Sequence, residues 1–462
     1  MTPCLLTAAL LSACGGGSSG SHDVDGQVAE SLLSKSTVAA ADGRMSIGGA
    51  KRRSPGNGKK SEGDEPTAPA PVAPMDPPPV AESSGTVTAW VRLALESQAF
   101  VVEASQQVRF GDGLSWVTKT ATTGSGSCSV SYFGSDPKSG ARKFCEVQVT
   151  VPAVLQTGTM PVVNTALIPK PSIAHATARV RTLTSTELAL AVYQPSPSRV
   201  GAFREPCSFS HMSFDDPIVY PGQPGAAHLH TFLGNADTAA ASTSDSIMNS
   251  GNSTCAGGVL NRTAYWKPSM IDIRTGQPIV PSKTLFYYKL GHLGVAAGSV
   301  RSYPKGLRMI AGDSNNTAPL SGFKVRLSCV ASGVSQGSMP SCPIGDDLNL
   351  AVVFPQCWDG VNVDSPDHKS HMAYATGSGC PSTHPVPLPE VTMNVYYRIS
   401  EANSGEFLKL SSDNYAGAGG HSLHADWFGG WDTPISETFI GACINANMDC
   451  HAQLLGDGRW VY

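Results

Sequence analysis

The chain has 462 residues, a formal net charge of -4 and only 15% charged residues. This length is enough for roughly two or three domains with buried cores, and a sequence without basic excess argues against a nucleic-acid partner. Glycine (48 residues) and proline (34 residues) are abundant, which favours turn-rich β-structure over helical bundles.

The N-terminal segment, residues 1–14, is a short apolar run that ends in small residues, as the cleavage region of a signal peptide does. Leu11-Ser12-Ala13-Cys14 resembles the bacterial lipobox. That resemblance implies cleavage before Cys14, acylation of Cys14, and sorting to the outer membrane because Gly15 follows. No positively charged leader precedes the run, so either the true start of the chain lies further upstream or the segment is an ordinary apolar N-terminus. The remaining sequence has no apolar run of about 18 residues, so we expect no other membrane span.

The next two regions differ sharply in pattern. Residues 15–84 are rich in Gly, Ser and Pro and poor in apolar side chains, which predicts a disordered tether. From Thr86 onwards, alternating segments predict short strands over 86–91, 99–102, 108–110, 115–118 and 146–151. Such strands indicate a small antiparallel β-sandwich over residues 85–152. The strings Val108-Arg109-Phe110-Gly111, Ser115-Trp116-Val117 and Phe133-Gly134-Ser135-Asp136-Pro137 resemble an accessory module of other secreted bacterial hydrolases.

The cysteines predict a disulfide framework. Ten cysteines follow Cys14, and an even number in an exported chain favours disulfides. Proximity in sequence predicts Cys128–Cys145, Cys329–Cys342, Cys357–Cys380 and Cys443–Cys450, which leaves Cys207 and Cys255 for each other. After a spacer over residues 153–195, we therefore expect residues 196–462 to form a larger, loop-rich, disulfide-pinned antiparallel β domain. The predicted fold class is mainly β.

Histidines concentrate in that C-terminal domain, where nine of the twelve lie between residues 211 and 424. Motifs in order from Phe209 to Asp432 resemble the family called domain of unknown function 1996. They include Phe209-Ser210-His211-Met212-Ser213-Phe214-Asp215-Asp216, His228-Leu229-His230-Thr231-Phe232, Cys357-Trp358-Asp359-Gly360, Asp364-Ser365-Pro366-Asp367-His368-Lys369-Ser370-His371 and Ser422-Leu423-His424-Ala425-Asp426-Trp427. The resemblance implies a secreted protein of a kind found in bacteria and fungi. Because some fungal members carry modules that bind wall glucan, it points by association towards carbohydrate.

Two short motifs in the domain could hold a metal. Positions i and i+2 of a β-strand share a face, so His228 and His230 should project together, as should His424 and Asp426. Imidazole and carboxylate groups suit a divalent transition metal such as zinc, with a polarised water at an open position. Without a metal, the same groups can act as general acid and base.

Further residues could complete the site. His371 and His384 are the next catalytic candidates, and Asp216 and Asp359 are the candidate carboxylate partners. The alternative for each histidine is a structural hydrogen bond. Candidate substrate-binding residues are Trp358, Trp427, Trp431, Asp359 and Arg308. Tryptophan faces can stack on sugar rings, with core packing as the alternative, and Arg308 could clamp an anionic group or fix a buried acid such as Asp313.

These patterns lead to one expectation and two alternatives. We expect a cell-surface or extracellular carbohydrate-active protein, a hydrolase or lyase that uses the His/Asp cluster with or without a metal. The alternatives are a non-catalytic glycan-binding or wall-attachment protein and a structural metal-binding envelope protein. The expected partners are an extracellular glycan and, through the lipid anchor, a membrane. The sequence lacks the GxSxG, GxxxxGK[ST] and HExxH motifs, so neither an α/β-hydrolase, an NTPase nor a common zinc protease is supported.

Overall fold

The computed structural model describes residues 82–122, 124–190, 194–195 and 200–462. The predicted signal peptide with Cys14 and nearly all of the predicted tether lie outside these residues. Strands make up 37% of the structure and helices 9%, so the expected mainly β fold is confirmed. The longest α-helix in the described part has 7 residues, and none of its helices has the length and apolar character that a membrane crossing needs.

The N-terminal part of the described chain is a small antiparallel β-module. Its elements are β1 (Glu82–Leu95), β2 (Ala99–Val101), β3 (Gln107–Asp112), β4 (Ser115–Thr120), β5 (Ser125–Ser127), α1 (Val130–Phe133) and β6 (Phe144–Val154). One sheet has the order β1-β6-β3-β4, and β2 pairs with β5. Phe100, Phe110 and Phe133 lie in its core because alternate residues of each strand face inwards. The strand positions predicted here are confirmed.

A connecting region and the C-terminal domain follow. After a 3-10 turn (Thr165–Leu167), the helices are α2 (Ser185–Leu190), α3 (Ser244–Asn249), α4 (Ser404–Phe407) and α5 (Thr433–Phe439), which leads into a π-helix (Ile440–Asn445). The strands are β7 (Val180–Thr182), β8 (Gln194–Pro195), β9 (Ala202–Glu205), β10 (Phe209–Ser213), β11 (His230–Gly234), β12 (Ala264–Pro268), β13 (Met270–Asp272), β14 (Gln277–Ile279), β15 (Lys283–Lys289), β16 (Arg308–Gly312), β17 (Val325–Cys329), β18 (Ser335–Gln336), β19 (Asp347–Val353), β20 (Cys357–Trp358), β21 (Met372–Ala373), β22 (Val386–Pro387), β23 (Glu390–Arg398), β24 (Leu408–Leu410), β25 (His424–Phe428), β26 (Met448–Ala452) and β27 (Arg459–Val461).

Two large sheets organise the domain. The five-stranded sheet has the order β10-β11-β12-β25-β16, and the eight-stranded sheet has the order β18-β17-β19-β23-β15-β9-β26-β8. All pairs in the five-stranded sheet are antiparallel. Within the eight-stranded sheet, β26 runs parallel to β9. Leu233, Tyr265 and Trp427 of the smaller sheet share one hydrophobic core with Phe286 and Val395 of the larger sheet.

The opposite face of the five-stranded sheet has a separate environment. Phe232, Trp266 and Phe428 lie there in a second apolar cluster with Ile218 and Ile247. The register pairs Phe232 with Trp266 and Trp266 with Asp426. Since residues i and i+2 of a strand share a face, His230 and His424 lie on this same side. The sheet register therefore collects the polar motifs on the face turned away from the main core.

Five disulfides cross-link the fold, and they are the five pairs expected from the spacing of the cysteines: Cys128–Cys145, Cys207–Cys255, Cys329–Cys342, Cys357–Cys380 and Cys443–Cys450. Disulfides at this density persist in oxidising environments. The chain is therefore built for an extracellular or otherwise oxidising compartment.

Candidate metal centre

Three histidines lie together where strands β11 and β25 of the five-stranded sheet begin. His230 begins β11, His228 lies two residues before it, and His424 begins β25. The ring centroids of His228 and His230 are 4.3 Å apart, and those of His228 and His424 are 5.1 Å apart. The two motifs singled out in the sequence thus come together in space, although about two hundred residues separate them along the chain.

Two carboxylates lie against the histidines. Asp426 is on β25, two residues from His424 and on the same face, and Asp216 is in the loop after β10. A ligand oxygen from each aspartate lies within 4.8 Å of a ring nitrogen of His230. One oxygen of Asp216 accepts hydrogen bonds from the backbone N–H groups of Ile218 and Val219, both at 2.9 Å. These bonds fix the orientation of the Asp216 carboxylate towards the cluster.

Backbone carbonyls fix the rings of two histidines. His230 Nδ1 donates to the carbonyl of Asp215 at 2.8 Å, and His424 Nδ1 donates to the carbonyl of Ser422 at 2.8 Å. A neutral imidazole that donates from Nδ1 presents a lone pair at Nε2. Metal-binding histidines typically have their second nitrogen held in this way by a carbonyl or carboxylate. The local backbone therefore prepares both Nε2 atoms as ligands.

The cluster contains buried polar atoms that have no protein partner. Asp426 and His230 are each 1% exposed. In the part of the chain that the structure describes, no hydrogen-bond partner reaches Nε2 of His228, Nε2 of His230 or either carboxylate oxygen of Asp426. Leaving one such group unpaired typically costs about 1–3 kcal/mol, and more for a charge. These four atoms belong to donor sets that share His230, and they are compatible with a cation beside them.

The protonation preferences of the cluster follow from its burial. Burial lowers the pKa of His230 and of His424 to about 4. Burial, together with the neighbouring His230 and His424 rings, lowers the pKa of His228 well below its ordinary value. Burial, with the adjacent Asp216, raises the pKa of Asp426 well above its ordinary value. Neutral imidazoles are the form that binds a metal, and a cation would offset the cost of an ionised Asp426.

The donor atoms form two overlapping sets. His228, His230 and His424 bring one ligand atom each within 4.8 Å of one another, and Asp216, His230 and Asp426 do the same. His230 belongs to both sets and has only Nε2 to offer, since Nδ1 is bonded to the Asp215 carbonyl. The two sets therefore join at His230, and each offers three protein donors of a kind that suits zinc, manganese, iron or copper.

Part of this domain matches a known protein family. Residues 216–431 match the model of the domain of unknown function DUF1996. The matched range, here called the DUF1996 region, contains all five donors of the cluster, from Asp216 to Asp426. The family resemblance noted in the sequence is supported over this range. No solved structure matches the chain.

Two other histidines of the DUF1996 region do not join the cluster. His371 bonds through Nδ1 to Ser365 Oγ at 2.9 Å and through Nε2 to the carbonyl of Arg308 at 2.7 Å. His384 bonds through Nδ1 to Thr383 Oγ1 and through Nε2 to the carbonyl of Ser370, both at 2.9 Å. Both nitrogens of each ring have protein partners, and the structure does not bring either histidine into the donor sets of the cluster. They connect loops instead.

Three further candidates have structural partners. Asp359 caps a turn by accepting from the backbone N–H groups of Val361 and Asn362, and its own N–H donates to the carbonyl of His371 at 3.1 Å, so it lies outside the two donor sets of the cluster. The indole N–H of Trp358 donates to the carbonyl of Asn362 at 2.5 Å, and this side chain is half-buried. Arg308 pairs with Asp364 at 2.7 Å, and its guanidinium carbon lies 4.8 Å from the centre of the Phe428 ring. The expected fixing acid, Asp313, is replaced by Asp364.

Two tryptophans expected to stack on substrate lie in the core. Trp427 is 0% exposed and its indole N–H donates to Tyr288 Oη at 3.3 Å. Trp431 is 5% exposed and contacts Phe203 and Phe439 edge-on. A buried ring cannot stack on a sugar, so the prediction of substrate contact is wrong for both. Trp427 follows Asp426 directly in the strand, and adjacent residues of a strand face opposite sides.

Sequence reasoning missed two lysines near the cluster, Lys369 and Lys267, the second of which is paired with Thr231 beside His230. Lys369 lies in the loop between β20 and β21, and its Nζ donates to the carbonyl of Gly312 at 3.1 Å. Gly312 is the cross-strand partner of His424. The only sequence signal for Lys369 was its position between His368 and His371 in the motif Asp364 to His371. The carbonyls of Asp215 and Ser422 that orient the histidines have no sequence signal at all.

Proposed function

We propose that the DUF1996 region binds one divalent transition metal ion through His228, His230, His424 and Asp426, with Asp216 beside them. The observation that carries this proposal is a set of buried ligand atoms without a protein partner, namely two imidazole Nε2 atoms and both oxygens of Asp426, in two donor sets that share His230. A metal would give each of them a partner. Backbone carbonyls already hold His230 and His424 in the tautomer that a ligand needs.

The chemistry that such an ion supplies is polarisation of a substrate oxygen or of a bound water. We propose that the protein uses it as an exported carbohydrate-active enzyme, a hydrolase or lyase. His228 is the half-buried member of the cluster, so it marks the side from which a substrate approaches. With more than three donors available, Asp216 or Asp426 can act as a proton acceptor while the histidines hold the ion. The family's association with wall glucan supports a glycan as the substrate.

The deciding experiment is elemental analysis of the purified full chain, compared with the His228→Ala/His230→Ala double variant. We expect close to one equivalent of a transition metal in the parent protein and a loss of most of it in the variant. His384→Ala is the matched control, because this histidine has both nitrogens bonded to the protein. Equal metal content in all three proteins, or none in the parent protein, would refute the proposal.

A second candidate function is a structural metal centre in an envelope protein. The observation that favours it is the depth of the cluster, since His424 is 5% exposed and Asp426 1%. Here chelation lowers the unfolding temperature without changing any glycan turnover. A non-catalytic glycan-binding protein predicts binding that survives loss of the histidines. The half-buried Trp358, and not Trp427 or Trp431, is then the tryptophan to substitute.

The location of the protein belongs to the same proposal. The disulfides place the chain in an oxidising environment. The lipobox-like Leu11-Ser12-Ala13-Cys14 supports the narrower assignment, an outer-membrane lipoprotein whose tether lets the folded part reach the glycan.

A further inference from the structure

An exposed lysine, Lys369, lies next to the strand pair that carries His424. Lys369 is exposed, and its ammonium group is held by the carbonyl of Gly312 at 3.1 Å. The β16 and β25 backbones approach closely at this point, because a Cβ on Gly312 would lie 2.7 Å from the Cα of His424. The loop of Lys369 is thus anchored at the strand position opposite His424.

The charge of Lys369 reaches the cluster. The carbonyl that holds its ammonium group belongs to Gly312, the residue paired with His424 across β16 and β25. An ammonium group in this position attracts any anionic group that approaches the proposed metal. It also disfavours binding of a second cation on the same side.

Acidic side chains of the same loop do not neutralise this lysine. Asp364 is bonded to Arg308 and His368. Asp367 accepts hydrogen bonds from Ser365 and Ser370. Throughout the described ranges, no carboxylate lies within ion-pair distance of Lys369 Nζ. The acidic side chains of the loop are therefore bonded to other residues. The Lys369 ammonium group is held in place by a carbonyl and has no carboxylate partner among the described residues.

We propose that Lys369 is a specificity-determining residue that binds the carboxylate of an acidic sugar, a uronate unit, as it approaches the metal centre. The inference rests on the proposed function, because it assumes that the metal site acts on glycan. It adds the substrate class: acidic rather than neutral polysaccharide. A lysine ammonium is a point charge that suits a single carboxylate oxygen. The other oxygen of the carboxylate remains available for the metal side.

The test uses the zinc-loaded full chain and measures binding of trigalacturonate by titration calorimetry. Lys369→Ala is compared with Lys369→Arg, which keeps the charge, and with Lys119→Ala. Lys119 is the matched control because it is also exposed and its Nζ donates to a backbone carbonyl, that of Tyr132, at 2.9 Å. Cellotriose serves as the neutral probe and inorganic phosphate as the other anion. Metal content is measured on the same samples.

We expect Lys369→Ala to weaken trigalacturonate binding by about tenfold or more, since it removes one opposite charge close to the ligand. Lys369→Arg and Lys119→Ala should stay close to the parent protein, and cellotriose should bind far more weakly than trigalacturonate. Equal affinity of the parent protein and Lys369→Ala, or absence of trigalacturonate binding, overturns the inference. Tighter binding of phosphate than of trigalacturonate also overturns it.

The two proposals fail separately in this experiment. Stoichiometric metal with no effect of Lys369→Ala leaves the metal centre standing and removes the uronate specificity. Lys369-dependent binding of trigalacturonate by a chain that takes up no metal supports the lysine assignment and refutes the metal centre.

Discussion

Lys267 is the most unusual single residue outside the cluster. It lies on β12 with 0% exposure, on the face of the five-stranded sheet that packs into the main core. Its Nζ donates to the carbonyl of Pro268 at 2.7 Å and lies 5.1 Å from the centre of the Tyr397 ring. Burial lowers the pKa of Lys267 to about 7. A lysine here is therefore costly to keep charged.

This lysine predicts a particular dependence of stability on pH. In the unfolded chain its pKa is about 10.4, so between about pH 7 and pH 10 the unfolded state binds more protons than the folded state. The free energy of unfolding should rise with pH over that window. Lys267→Met keeps a similar volume and should remove this rise, stabilising the protein at pH 6 by at most about 5 kcal/mol. Urea unfolding at pH 6, 8 and 9.5 measures it. Lys119→Met, at an exposed site, should retain the parental slope, and an unchanged slope in Lys267→Met would contradict the prediction.

The buried ring of Trp427 should contribute strongly to the stability of the main core. Because its ring is fully buried in the main core, Trp427→Ala should lower the free energy of unfolding by about 3–5 kcal/mol. Trp358→Ala, at a half-buried position, should cost much less. Denaturant unfolding of both variants provides the comparison. If Trp427→Ala kept full stability while glycan binding was lost, the substrate role expected from the sequence would be restored.

The sequence carried much of the information on the candidate site. The two-residue period correctly places His424 with Asp426, because pleating decides which side of β25 a residue faces. His228 and His230 also lie together, but His228 precedes β11, so pleating is not the reason. The same period puts Trp427 on the opposite side, and proximity to Asp426 in sequence was a misleading guide. His371 and His384 could not be assigned, since their bonds to Ser365, Thr383 and backbone carbonyls depend on loop conformation.

The loop that the Cys357–Cys380 disulfide closes has little regular structure, so we expect its conformation to depend on that disulfide. It contains only the two-residue strands β20 and β21, and Cys357–Cys380 closes it over 23 positions. Lys369 is in this segment, whereas the proposed metal ligands lie outside it. A change to the disulfide should therefore separate positioning of the lysine from binding of the metal.

The prediction concerns the double variant Cys357→Ser/Cys380→Ser. Chain entropy gives a loss of about 3 kcal/mol for a loop of this size and about 2 kcal/mol for the shorter Cys443–Cys450 loop. We expect the 357/380 variant to lose more stability than a 443/450 variant and to bind trigalacturonate more weakly, with unchanged metal content. Thermal unfolding, calorimetry and elemental analysis measure the three quantities. Loss of metal from the 357/380 variant would show that the loop supports the ligands as well.

Element order was predictable only where pairing is local. In the small module, the sequence predicts the strand positions, and β3 pairs with the next strand β4, whereas β1 pairs with β6 and β2 with β5. In the large domain, β25 pairs with β12 and β16, which lie far earlier in the chain. No periodicity in Ala264–Pro268 or His424–Phe428 specifies that partnership. Packing of both strands against the shared core decides it.

At the scale of the whole molecule, the architecture separates stability from chemistry. The eight-stranded sheet and one face of the five-stranded sheet share the main core, and four of the five disulfides cross-link this domain. The polar cluster lies on the other face, beside the smaller apolar group of Phe232, Trp266 and Phe428. Substitutions of the ligands should therefore affect metal binding more than folding, which makes the proposed metal centre testable in intact protein.

The last prediction concerns where the whole molecule resides. If Cys14 is acylated, Cys14→Ala should move the protein from the membrane fraction to the soluble fraction of the exporting cell, since each buried methylene contributes about 0.8 kcal/mol to anchoring. Cys4→Ala is the matched control, because Cys4 lies in the segment that cleavage would remove and should leave the protein in the membrane. Fractionation and immunoblotting measure the distribution. Retention of Cys14→Ala in the membrane would refute the lipid anchor and leave the ordinary apolar N-terminus. Thermal unfolding and metal content should be the same in both variants, because neither cysteine belongs to the five disulfides or to the proposed metal site.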